Sequence, residues 1–511
     1  MGFARNGNIK SRSLAPILTK NVTSKARRSD RAHKPGDSFM TSYVPPAGSA
    51  RAASGEANAP LAGHQVGVEE GRHTVDIGRT LDEGPYTTMQ KIVVLLAALS
   101  IVLDGFDSQL IGFAIPVLIK EWGVTRAAFA PVVAAGLIGM GIGSACAGLL
   151  ADRFGRRWAV IGSVLVFGAA TCGISFAPDI VTIAVLRFVA GLGIGGALPS
   201  STTMTAEFTP ARRRTLAVTA TIVCVPLGGM VAGLFAHEIL PTYGWRWLFL
   251  IGGVLPLALG VLLLFTLPES PRFLARRPQR WPELKRLLGR MSRPVASGCV
   301  FTDIREQAVE KHTGITALFR DGLALDTVAI WCAFCMCLLA VYSAFSWLPT
   351  MLSTQGLSVS VAGSGLTAYN LGGVVGALLC AVVIARTGSR WPLILCSAGG
   401  AASALLLLGV NIADHTGLLI FGLGVHGLFV NAVQSTMFAL CAYVYPTRVR
   451  ATGTASALAF GRLGAIASAF AGAVVITAGG ASSYLWMLGI AMVIVMVALM
   501  LVKRHIPKPG V

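Results

Sequence analysis

The stretch from Ile92 to Ile119 reads IVVLLAALSIVLDGFDSQLIGFAIPVLI. It is long enough to cross a bilayer, which takes about 20 apolar residues. Two carboxylates, Asp104 and Asp107, stand near its middle. A charged side chain at that depth is costly, so by default it marks an ion, proton or substrate pathway. We therefore interpret the rest of the chain around this pair.

The composition is typical of a polytopic membrane protein. Of the 511 residues, 54% are hydrophobic and only 13% are charged. Twelve apolar runs are each long enough to span a membrane, and a polar gap at 268–325 divides them six and six. The expected spans are 92–119, 127–151, 158–177, 180–206, 215–237, 245–267, 326–353, 361–385, 391–410, 415–443, 452–477 and 481–502.

Five regions follow from this pattern. The first is polar, rich in Ala, Gly, Ser and Arg, and lacks an apolar stretch long enough for a signal peptide, so we expect a disordered cytoplasmic tail. The central loop holds amphipathic pieces such as Trp281 to Leu288. The predicted regions are the tail 1–85, an N-terminal six-helix bundle 86–267, the central loop 268–325, a C-terminal six-helix bundle 326–503 and a cytoplasmic C-terminal tail 504–511.

The positions of the Lys and Arg residues predict the orientation. Beyond the N-terminal tail, loops on the side of both termini hold 24 of the 42 basic residues, whereas the opposite loops hold only Lys120, Arg126 and Arg246. Basic loops stay in the cytoplasm, so both termini are expected there and the protein in the inner (plasma) membrane. Topology thus explains most of the net charge of +19, and no nucleic-acid partner is expected. Only Arg187 and Arg462 remain for the membrane interior.

An internal repeat indicates two halves of like topology. The segment 143–158 after the second span is echoed by 376–391 after the eighth, and 209–214 is echoed by 445–450. Repeats of this kind build transporters whose halves rock about a site near the bilayer midplane. The predicted fold is an all-α membrane protein with twelve transmembrane helices in two pseudo-symmetric six-helix bundles.

These features together resemble the major facilitator superfamily over roughly residues 75–505. Its signature Gly-x-x-x-Asp-Arg-x-Gly-Arg-Arg follows the second span, and in the family this loop acts as a gate latch between helices. The second copy has Ala385 where the Asp would stand, so a latch there must be asymmetric. The gating residues that the resemblance implies are Gly148, Asp152, Arg153, Gly155, Arg156, Arg157, Arg386, Arg390 and Arg450.

A narrower resemblance is to the aromatic acid:proton symporters, which include 4-hydroxybenzoate and protocatechuate transporters. The first span matches that group through Asp104-Gly105-Phe106-Asp107 and the following Ile111 to Pro116. Further matches lie around Arg187 and from Tyr445 to Gly464. The resemblance implies that transport depends on Asp104, Asp107, Arg187, Glu207, Arg450 and Arg462.

The aspartate pair favours proton coupling. Asp104 and Asp107 are three residues apart and so share one helix face. Two such carboxylates in a poorly hydrated site do not both ionise easily, so one of them can exchange a proton near neutrality. We expect Arg187, at a similar depth, and Glu207 to take part in this coupling. The alternative is a structural pair that is neutralised by Arg187.

Arg462 is the candidate substrate anchor. It lies about ten residues, or roughly 15 Å, inside its span and has no acidic residue within its own half of the membrane. A planar guanidinium suits a carboxylate, so an anionic substrate is expected there. Snorkelling or capping of backbone carbonyls is the alternative.

Aromatic and polar side chains at membrane depth are candidates for binding a ring and its substituents. Each aromatic residue could instead face lipid or the core, and each polar one could form an interhelical hydrogen bond. His426 could also relay protons. The candidates are Phe106, Phe113, Tyr342, Phe345, Trp347, Tyr369, Phe438, Asn370, His426, Asn431 and Gln434.

The expected function is import of an aromatic carboxylate such as 4-hydroxybenzoate or protocatechuate with protons, by a monomer, in a setting of aromatic catabolism. A drug or metabolite antiporter of the same fold is the first alternative, although Val225-Pro226 lacks the glycine that antiporters often place before that proline. A non-transporting sensor is the second. An enzyme, a cofactor and a metal are not expected, since no nucleophile and base pair or phosphate loop appears. The run Gly191 to Gly196 fits helix packing better than dinucleotide binding.

Overall fold

The computed structural model describes residues 68–69, 72–296, 298–303, 315–320, 322–410, 415–446 and 449–508, and these are mostly helical. Three short strands are β1 (Val68–Glu69), β2 (Arg72–Asp76) and β3 (Val300–Thr302). The helices are α1 (Ile77–Glu83), α2 (Thr88–Trp122), α3 (Arg126–Phe154), α4 (Arg156–Ile174), α5 (Ile180–Phe208), α6 (Ala211–Thr266), α7 (Pro271–Ala275), α8 (Trp281–Arg290), α9 (Ala324–Thr354), α10 (Val359–Thr387), α11 (Arg390–Leu406), α12 (Thr416–Val444) and α13 (Arg450–Leu501).

Two of these helices are too long for one crossing. Helix α6 has 56 residues and α13 has 52, about 80 Å each at 1.5 Å per residue. Both contain glycines with non-helical angles, Gly244 in α6 and Gly479 and Gly480 in α13. Each is therefore two spans joined by a tight turn. In the described residues ten helices are long and apolar enough to cross a membrane. Counting α6 and α13 twice gives the twelve spans that the sequence predicts.

Local sequence signals explain where the spans begin. At the start of α2, Gln90 reaches back to accept a hydrogen bond from the Thr87 backbone N–H at 3.0 Å. Asp179 caps α5 by accepting from the N–H of Thr182 at 2.8 Å. Such caps satisfy donors that the first helical turn leaves unpaired. The helix ends thus follow from polar residues beside the apolar runs.

The long helices pack as two halves. In the first half α3 packs on α5, α2 on α6, and α4 on both α5 and α6. In the second half α9 packs on α13, α10 on α12, and α11 on α13. This is the same arrangement repeated, with the single helices α2 to α5 matched by α9 to α12. The repeat that the sequence predicts is thus present as repeated packing.

Glycines bring α3 and α5 into close contact. A Cβ on Gly191 would overlap the carbonyl oxygen of Gly136, and one on Gly195 would overlap that of Met140. The two backbones therefore touch, as small residues allow at helix crossings in membranes. This confirms the helix-packing interpretation of the run 191–196.

The prediction of a disordered tail up to residue 85 is wrong for its last part. Residues 72–76 form β2, which pairs in parallel with β3, and α1 follows with Ile77 and Leu81 buried. A salt bridge joins Asp82 to Arg214 at the start of α6. The pairing with β3 and these contacts order a segment whose own composition is polar. Residues 1–67 of the predicted tail lie outside the described residues.

The central loop folds against this segment. Helix α8 confirms the amphipathic piece predicted at Trp281 to Leu288, since Leu284, Leu287 and Leu288 are buried. Arg293 is also buried, and its Nη2 donates to the carbonyl oxygens of Leu81 at 3.4 Å and Pro85 at 3.1 Å. Burial lowers the pKa of the Arg293 guanidinium, and nearby Asp82 opposes that shift. The loop is therefore held to the chain just before α2.

Candidate functional site

The two aspartates of α2 lie deep in the first half. Asp107 is fully buried and Asp104 is 5% exposed. The Thr171 hydroxyl of α4 donates to Oδ1 of Asp107 at 2.6 Å, and Nη1 of Arg187 lies 3.8 Å from Oδ2. Asp107 is therefore held by one donor and one cation. This contact between α2 and α5 fits both interpretations of the aspartate pair, coupling with Arg187 and neutralisation by it.

Arg187 also binds the backbone of α2. Its Nη1 donates to the carbonyl oxygen of Asp107 and its Nη2 to that of Ser108, both at 3.3 Å. Each aspartate keeps one buried oxygen without a hydrogen-bond partner in the described part of the chain, Oδ1 of Asp104 and Oδ2 of Asp107. Asp104 interacts electrostatically with Asp107 and with Arg462 of the second half. The aspartate pair thus interacts with both buried arginines, Asp107 with Arg187 and Asp104 with Arg462.

Arg462 on α13 lies at the boundary between the halves. Its Nη1 donates to the Tyr342 hydroxyl at 3.0 Å and lies 2.7 Å from the sulfur of Met140, which belongs to the first half. Among the described residues no ion pair joins Arg462 to a carboxylate. Both groups that touch this guanidinium are uncharged, so a carboxylate would be a far stronger partner.

A row of neighbouring rings extends from Arg462 through the second half. Tyr342 and Phe345 have ring centroids 5.7 Å apart, and Phe345 and Tyr369 are 6.1 Å apart. Tyr369 is then 5.9 Å from the ring of His426. Such tilted and edge-on pairs are favourable, and they place aromatic faces and edges near the arginine. Four of the predicted ring-binding or polar candidates are therefore brought together.

The remaining polar candidates of α12 bind the protein itself. His426 is buried, and its Nδ1 lies 3.1 Å from the carbonyl oxygen of Gly400 and 3.0 Å from the Ser403 hydroxyl. Asn431 is buried and donates to the carbonyl oxygen of Gly427 at 3.0 Å. Gln434, one turn further along, is half-buried. His426 and Asn431 thus have interhelical or intrahelical partners.

Four predicted aromatic candidates pack elsewhere. Phe106 packs on Phe235 at a centroid distance of 5.6 Å, within the first half. Trp347 is buried against the space left by Gly472. Phe113 fills the space beside Gly233 and Gly363, and Phe438 packs edge-on against Phe334. The structure does not bring these four side chains to Arg462.

Asn370 pairs with a residue that sequence reasoning missed. Its Nδ2 donates to Oε1 of Gln109 at 2.7 Å, and Nε2 of Gln109 donates back to Oδ1 of Asn370 at 3.1 Å. Both side chains are fully buried, and the pair joins α2 of the first half to α10 of the second. Amide side chains are common at helix contacts, so no sequence signal separates this pair from others.

A small cavity lies between the halves at this level. Its volume is about 10 Å³, close to that of a single water, so its walls are too near each other for a benzene ring. It lies between Arg187 on one side and the ring of Tyr342 on the other. The cavity is lined by Ser108, Ile111, Val133, Gly136, Leu137, Met140, Arg187, Gly191, Ile194, Tyr342, Phe345 and Ser346.

The signature loop after α3 is held by charged groups at one end of the bundle, which we call the loop face. Arg156 lies 2.6 Å from Asp152 and 3.8 Å from Glu207. Arg157 donates its backbone N–H to Oε1 of Glu269 at 3.1 Å. Gly155 has φ of 108°, and a Cβ there would overlap the Glu269 carboxylate.

Glu207 belongs to this loop-face cluster rather than to the aspartate pair. It accepts a hydrogen bond from the Ser270 hydroxyl, and it lies 20 residues, or roughly 30 Å, along α5 from Arg187. The neighbouring Glu269 has its pKa raised by burial, although N–H donors from Ser270 and Arg157 oppose the shift. Glu207 thus lies at the other end of its span from Arg187, and a part in proton coupling stays a prediction for it.

The chain's relatives agree with this architecture. The model of the Major Facilitator Superfamily matches residues 97–366 and 330–511. The chain belongs to this superfamily. It is 36% identical to a 4-hydroxybenzoate transporter of Pseudomonas putida over 409 residues, which are 80% of this chain and 90% of that protein. It is 33% identical to a gallate transporter of Pseudomonas putida over 405 residues, 79% of this chain and 90% of that protein. The narrower resemblance is thereby confirmed, and the protein is a multi-pass transporter and not an enzyme.

Solved structures show the same major facilitator fold. The xylose transporter of Escherichia coli in an inward-open conformation has a TM-score of 0.65 at 19% identity, covering 82% of this chain and 97% of that chain. A D-xylose-proton symporter has a TM-score of 0.63 at 20% identity, covering 82% and 98%. At these identities the likeness establishes the fold alone.

The second copy of the signature loop is held by residues close to the C-terminus. Gly388 has φ of 80°, and Ser389 donates its backbone N–H to the carbonyl oxygen of Ile506 at 3.0 Å. The Ile506 N–H donates back to the Ser389 hydroxyl at 2.9 Å. The latch-like contacts of the two halves are thus unequal, as Ala385 predicts. Arg386 and Arg390 are exposed, and Arg450 donates to the carbonyl oxygen of Tyr445 at 3.3 Å.

The two halves touch at the end opposite the loop face, which we call the far face. Ser360 at the start of α10 lies 2.6 Å from Nδ1 of His237. A Cβ on Gly112 would overlap the carbonyl oxygen of Phe345, and one on Gly233 would overlap the Thr367 hydroxyl. At the loop face, by contrast, the bonds of the signature loop described above stay within the first half and the central loop. Among the described residues the far face is therefore the one where contacts join the two halves, and we call it the closed face.

Proposed function

We propose that this protein imports an aromatic carboxylate together with at least one proton. The proposal rests first on Arg462, whose guanidinium lies at the boundary between the halves. Its hydrogen-bond partners within the described residues are the neutral groups of Tyr342 and Met140. A carboxylate that entered between the halves would meet this planar donor and the adjoining rings of Tyr342 and Phe345. The relatives named as 4-hydroxybenzoate and gallate transporters support the same substrate class.

Asp104 and Asp107 carry the proton in this proposal. Asp107 already has a cationic neighbour and a hydroxyl donor. Asp104 interacts electrostatically with Arg462, and its Oδ1 has no hydrogen-bond partner among the described residues. A substrate carboxylate that binds Arg462 neutralises this guanidinium, so Asp104 loses its favourable electrostatic interaction with Arg462. A proton on Asp104 then removes the charge that is left uncompensated. Substrate and proton are thereby loaded together.

Alternating access follows from relief of buried charge. With both ligands bound, the interface carries no net unpaired charge, so closing the halves around them costs least in that state. The contacts of the loop-face cluster of Arg156, Glu207 and Glu269 and of Arg450 would break and re-form as the halves rock, and the exposed Arg386 and Arg390 would gain partners. Gating is the role we assign to these residues.

The setting is the inner (plasma) membrane, with the loop face and both termini in the cytoplasm. Basic residues concentrate in the loops of that face, which is the usual sign of a cytoplasmic location. All groups of the proposed site come from one chain, since Arg187 pairs with Asp107 within the first half and Asp104 interacts with Arg462 of the second half. We propose a monomer as the working unit.

Uptake into proteoliposomes tests the proposal. An inward proton gradient should accumulate labelled 4-hydroxybenzoate, and a protonophore should abolish the accumulation. Uptake that ignores the protonophore would remove proton coupling. Accumulation that requires protons to leave the vesicle in exchange for the entering substrate would instead support an antiporter.

Asp104→Asn isolates the proton site. The amide keeps the shape of the side chain but cannot gain or lose a proton. We expect this variant to retain binding of 4-hydroxybenzoate and its exchange for unlabelled substrate, and to lose accumulation driven by the gradient. Glu283→Gln on α8, where the carboxylate is 45% exposed, is the control for removing one carboxylate, and it should keep its gradient-driven accumulation. Full accumulation by Asp104→Asn would show that the proton is carried elsewhere.

A further inference from the structure

One donor nitrogen of Arg187, Nε, takes no part in the hydrogen bonds that hold this side chain. The residue is 5% exposed, and its two Nη groups bind the carbonyl oxygens of Asp107 and Ser108. Its Nε–H is buried and has no hydrogen-bond partner among the described residues. A buried donor on a charged group is costly when unpaired, so it favours any acceptor that can reach it.

The free Nε–H of Arg187 lies beside Gly136, at the cavity between the halves. Arg187 and Gly136 both line this cavity, and a Cβ built on Gly136 would lie 3.6 Å from Nε. The missing side chain at Gly136 therefore leaves open space beside the donor. The contacts that hold the proton pair use the Nη groups, so Nε is available for a different task.

The same cavity reaches the candidate carboxylate anchor. Tyr342 and Met140 line it, and both contact the guanidinium of Arg462. Arg187 and the contacts of Arg462 thus border one cavity, whose remaining walls include the apolar Ile111 and Leu137 and the ring of Phe345. A planar ring that separated these walls would present one edge toward each arginine.

We propose that the Nε–H of Arg187 and the space beside Gly136 form a subsite that binds a hydroxyl group on the ring of the transported acid. The inference rests on the proposed function, because it takes the carboxylate to be held by Arg462. The ring hydroxyl accepts the hydrogen bond from Nε–H, and the ring lies against Phe345. The subsite selects hydroxylated aromatic acids over plain or alkylated ones.

The physical basis of the selectivity is a charged donor in a dry site. A hydrogen bond to a charged group is stronger than a neutral one, and an analogue without the acceptor leaves the donor unpaired. Sites built to bind a hydroxyl therefore reject analogues that lack it far better than apolar pockets reject a change in size. A methyl group of similar size is the sharpest comparison.

The wild-type protein gives the first test, in lipid nanodiscs with labelled 4-hydroxybenzoate as the displaced ligand. The competitors are 3- and 4-hydroxybenzoate and the matching 3- and 4-methylbenzoates. We expect at least one hydroxybenzoate to bind about tenfold or more tightly than its methyl counterpart. Equal affinities within both pairs would overturn the subsite, while binding of the whole set would still support an aromatic acid transporter. Failure of every acid to bind would remove the proposed function itself.

Gly136→Ala locates the subsite. The new methyl group would have ordinary contact distances to its neighbours, and alanine favours the helix more than glycine does, so the variant should fold. It would fill the space beside Nε and lower the affinity for the preferred hydroxybenzoate about tenfold, with benzoate affinity unchanged. Gly141→Ala on the same helix has open space at its Cβ and is the matched control. Equal loss of benzoate and hydroxybenzoate in Gly136→Ala, or loss of neither, would contradict the subsite.

Discussion

At the scale of single residues, the chemistry of the site depends on the shape of Arg462 as well as on its charge. A guanidinium can bind a carboxylate through two parallel N–H groups while a neighbouring ring stacks nearby. Tyr342 already occupies one donor at 3.0 Å, and its ring lies 5.9 Å from the guanidinium carbon. A lysine at this position would keep the positive charge but lose the two parallel N–H groups.

Arg462→Lys should therefore impair transport despite the retained charge. We expect about 100-fold lower kcat/KM for uptake of 4-hydroxybenzoate, because a desolvated carboxylate loses a bidentate partner. Tyr342→Phe removes a neutral hydroxyl and keeps the ring, so its loss should be much smaller. Initial rates in proteoliposomes with matched protein content provide the measurement. A lysine variant with wild-type kcat/KM would mean that Arg462 does not bind the substrate carboxylate.

Sequence reasoning at this scale succeeded where charge was rare. Two aspartates and two arginines in apolar spans are few enough that Asp107 and Arg187 could be paired before their 3.8 Å contact was seen. Aromatic residues are common in such spans, so nothing in the sequence separates Tyr342, beside Arg462, from Trp347, packed on Gly472. Hydroxyls such as Thr171 are equally common and give no signal.

At the scale of elements, long apolar segments were predictable and short polar ones were not. The span expected at 92–119 lies inside α2, and its ends are set by caps within a few residues. Strand β2 is only five residues long and gains its partner from β3, more than 200 residues later in the chain. A segment whose order comes from such a distant partner looks disordered when its own composition is the sole guide.

The two copies of the signature loop are held by different groups in the two halves. In the first half the segment after α6 supplies the Glu269 carboxylate to the backbone beside Gly155. In the second half the segment after α13 supplies the backbone carbonyl of Ile506 to Ser389, beside Gly388. Ala385 predicts that the two loops are held differently. The sequence does not reveal that backbone atoms near the C-terminus replace the carboxylate that holds the first loop.

Ile506→Pro should weaken the second of these contacts. Proline lacks the N–H that donates to the Ser389 hydroxyl at 2.9 Å, whereas Ile506→Ala keeps it and removes more of the side chain. We expect the proline variant to be less stable than the alanine variant by about 1 kcal/mol, the usual contribution of one hydrogen bond. Thermal unfolding of both purified variants in the same detergent gives the comparison. Equal midpoints would show that this bond does not stabilise the C-terminal half.

At the scale of the whole molecule, the sequence predicts two halves but cannot tell which face is closed. The repeat and the distribution of Lys and Arg determine topology, and both are the same in every state of a rocking transporter. The closed far face depends instead on pairs across the halves, such as His237 with Ser360. Gln109 and Asn370 form the buried pair among these contacts.

Breaking the amide pair should open the far face more often. Gln109→Leu leaves Asn370 with a single acceptor, the Leu366 carbonyl of its own helix, so the closed arrangement loses both bonds across the halves. Buried amides without partners cost about 1–3 kcal/mol, enough to shift a two-state population about fivefold or more. A cysteine introduced at Thr367, which lies against Gly233 in the closed face, can report this opening.

The measurement is the rate at which Thr367→Cys reacts with a membrane-impermeant maleimide, with and without Gln109→Leu. The chain without Thr367→Cys gives the background from its ten native cysteines. Faster labelling of the variant that carries both Thr367→Cys and Gln109→Leu would identify the amide pair as the polar lock of the far face. Gln109→Asn in place of Gln109→Leu keeps an amide at this position, and it should restore slow labelling. Unchanged labelling would mean that close backbone packing, as at Gly112 and Phe345, keeps this face closed without the amides. The two results separate a hydrogen-bonded gate from a purely steric one, because leucine preserves the volume of glutamine and removes only its polar atoms.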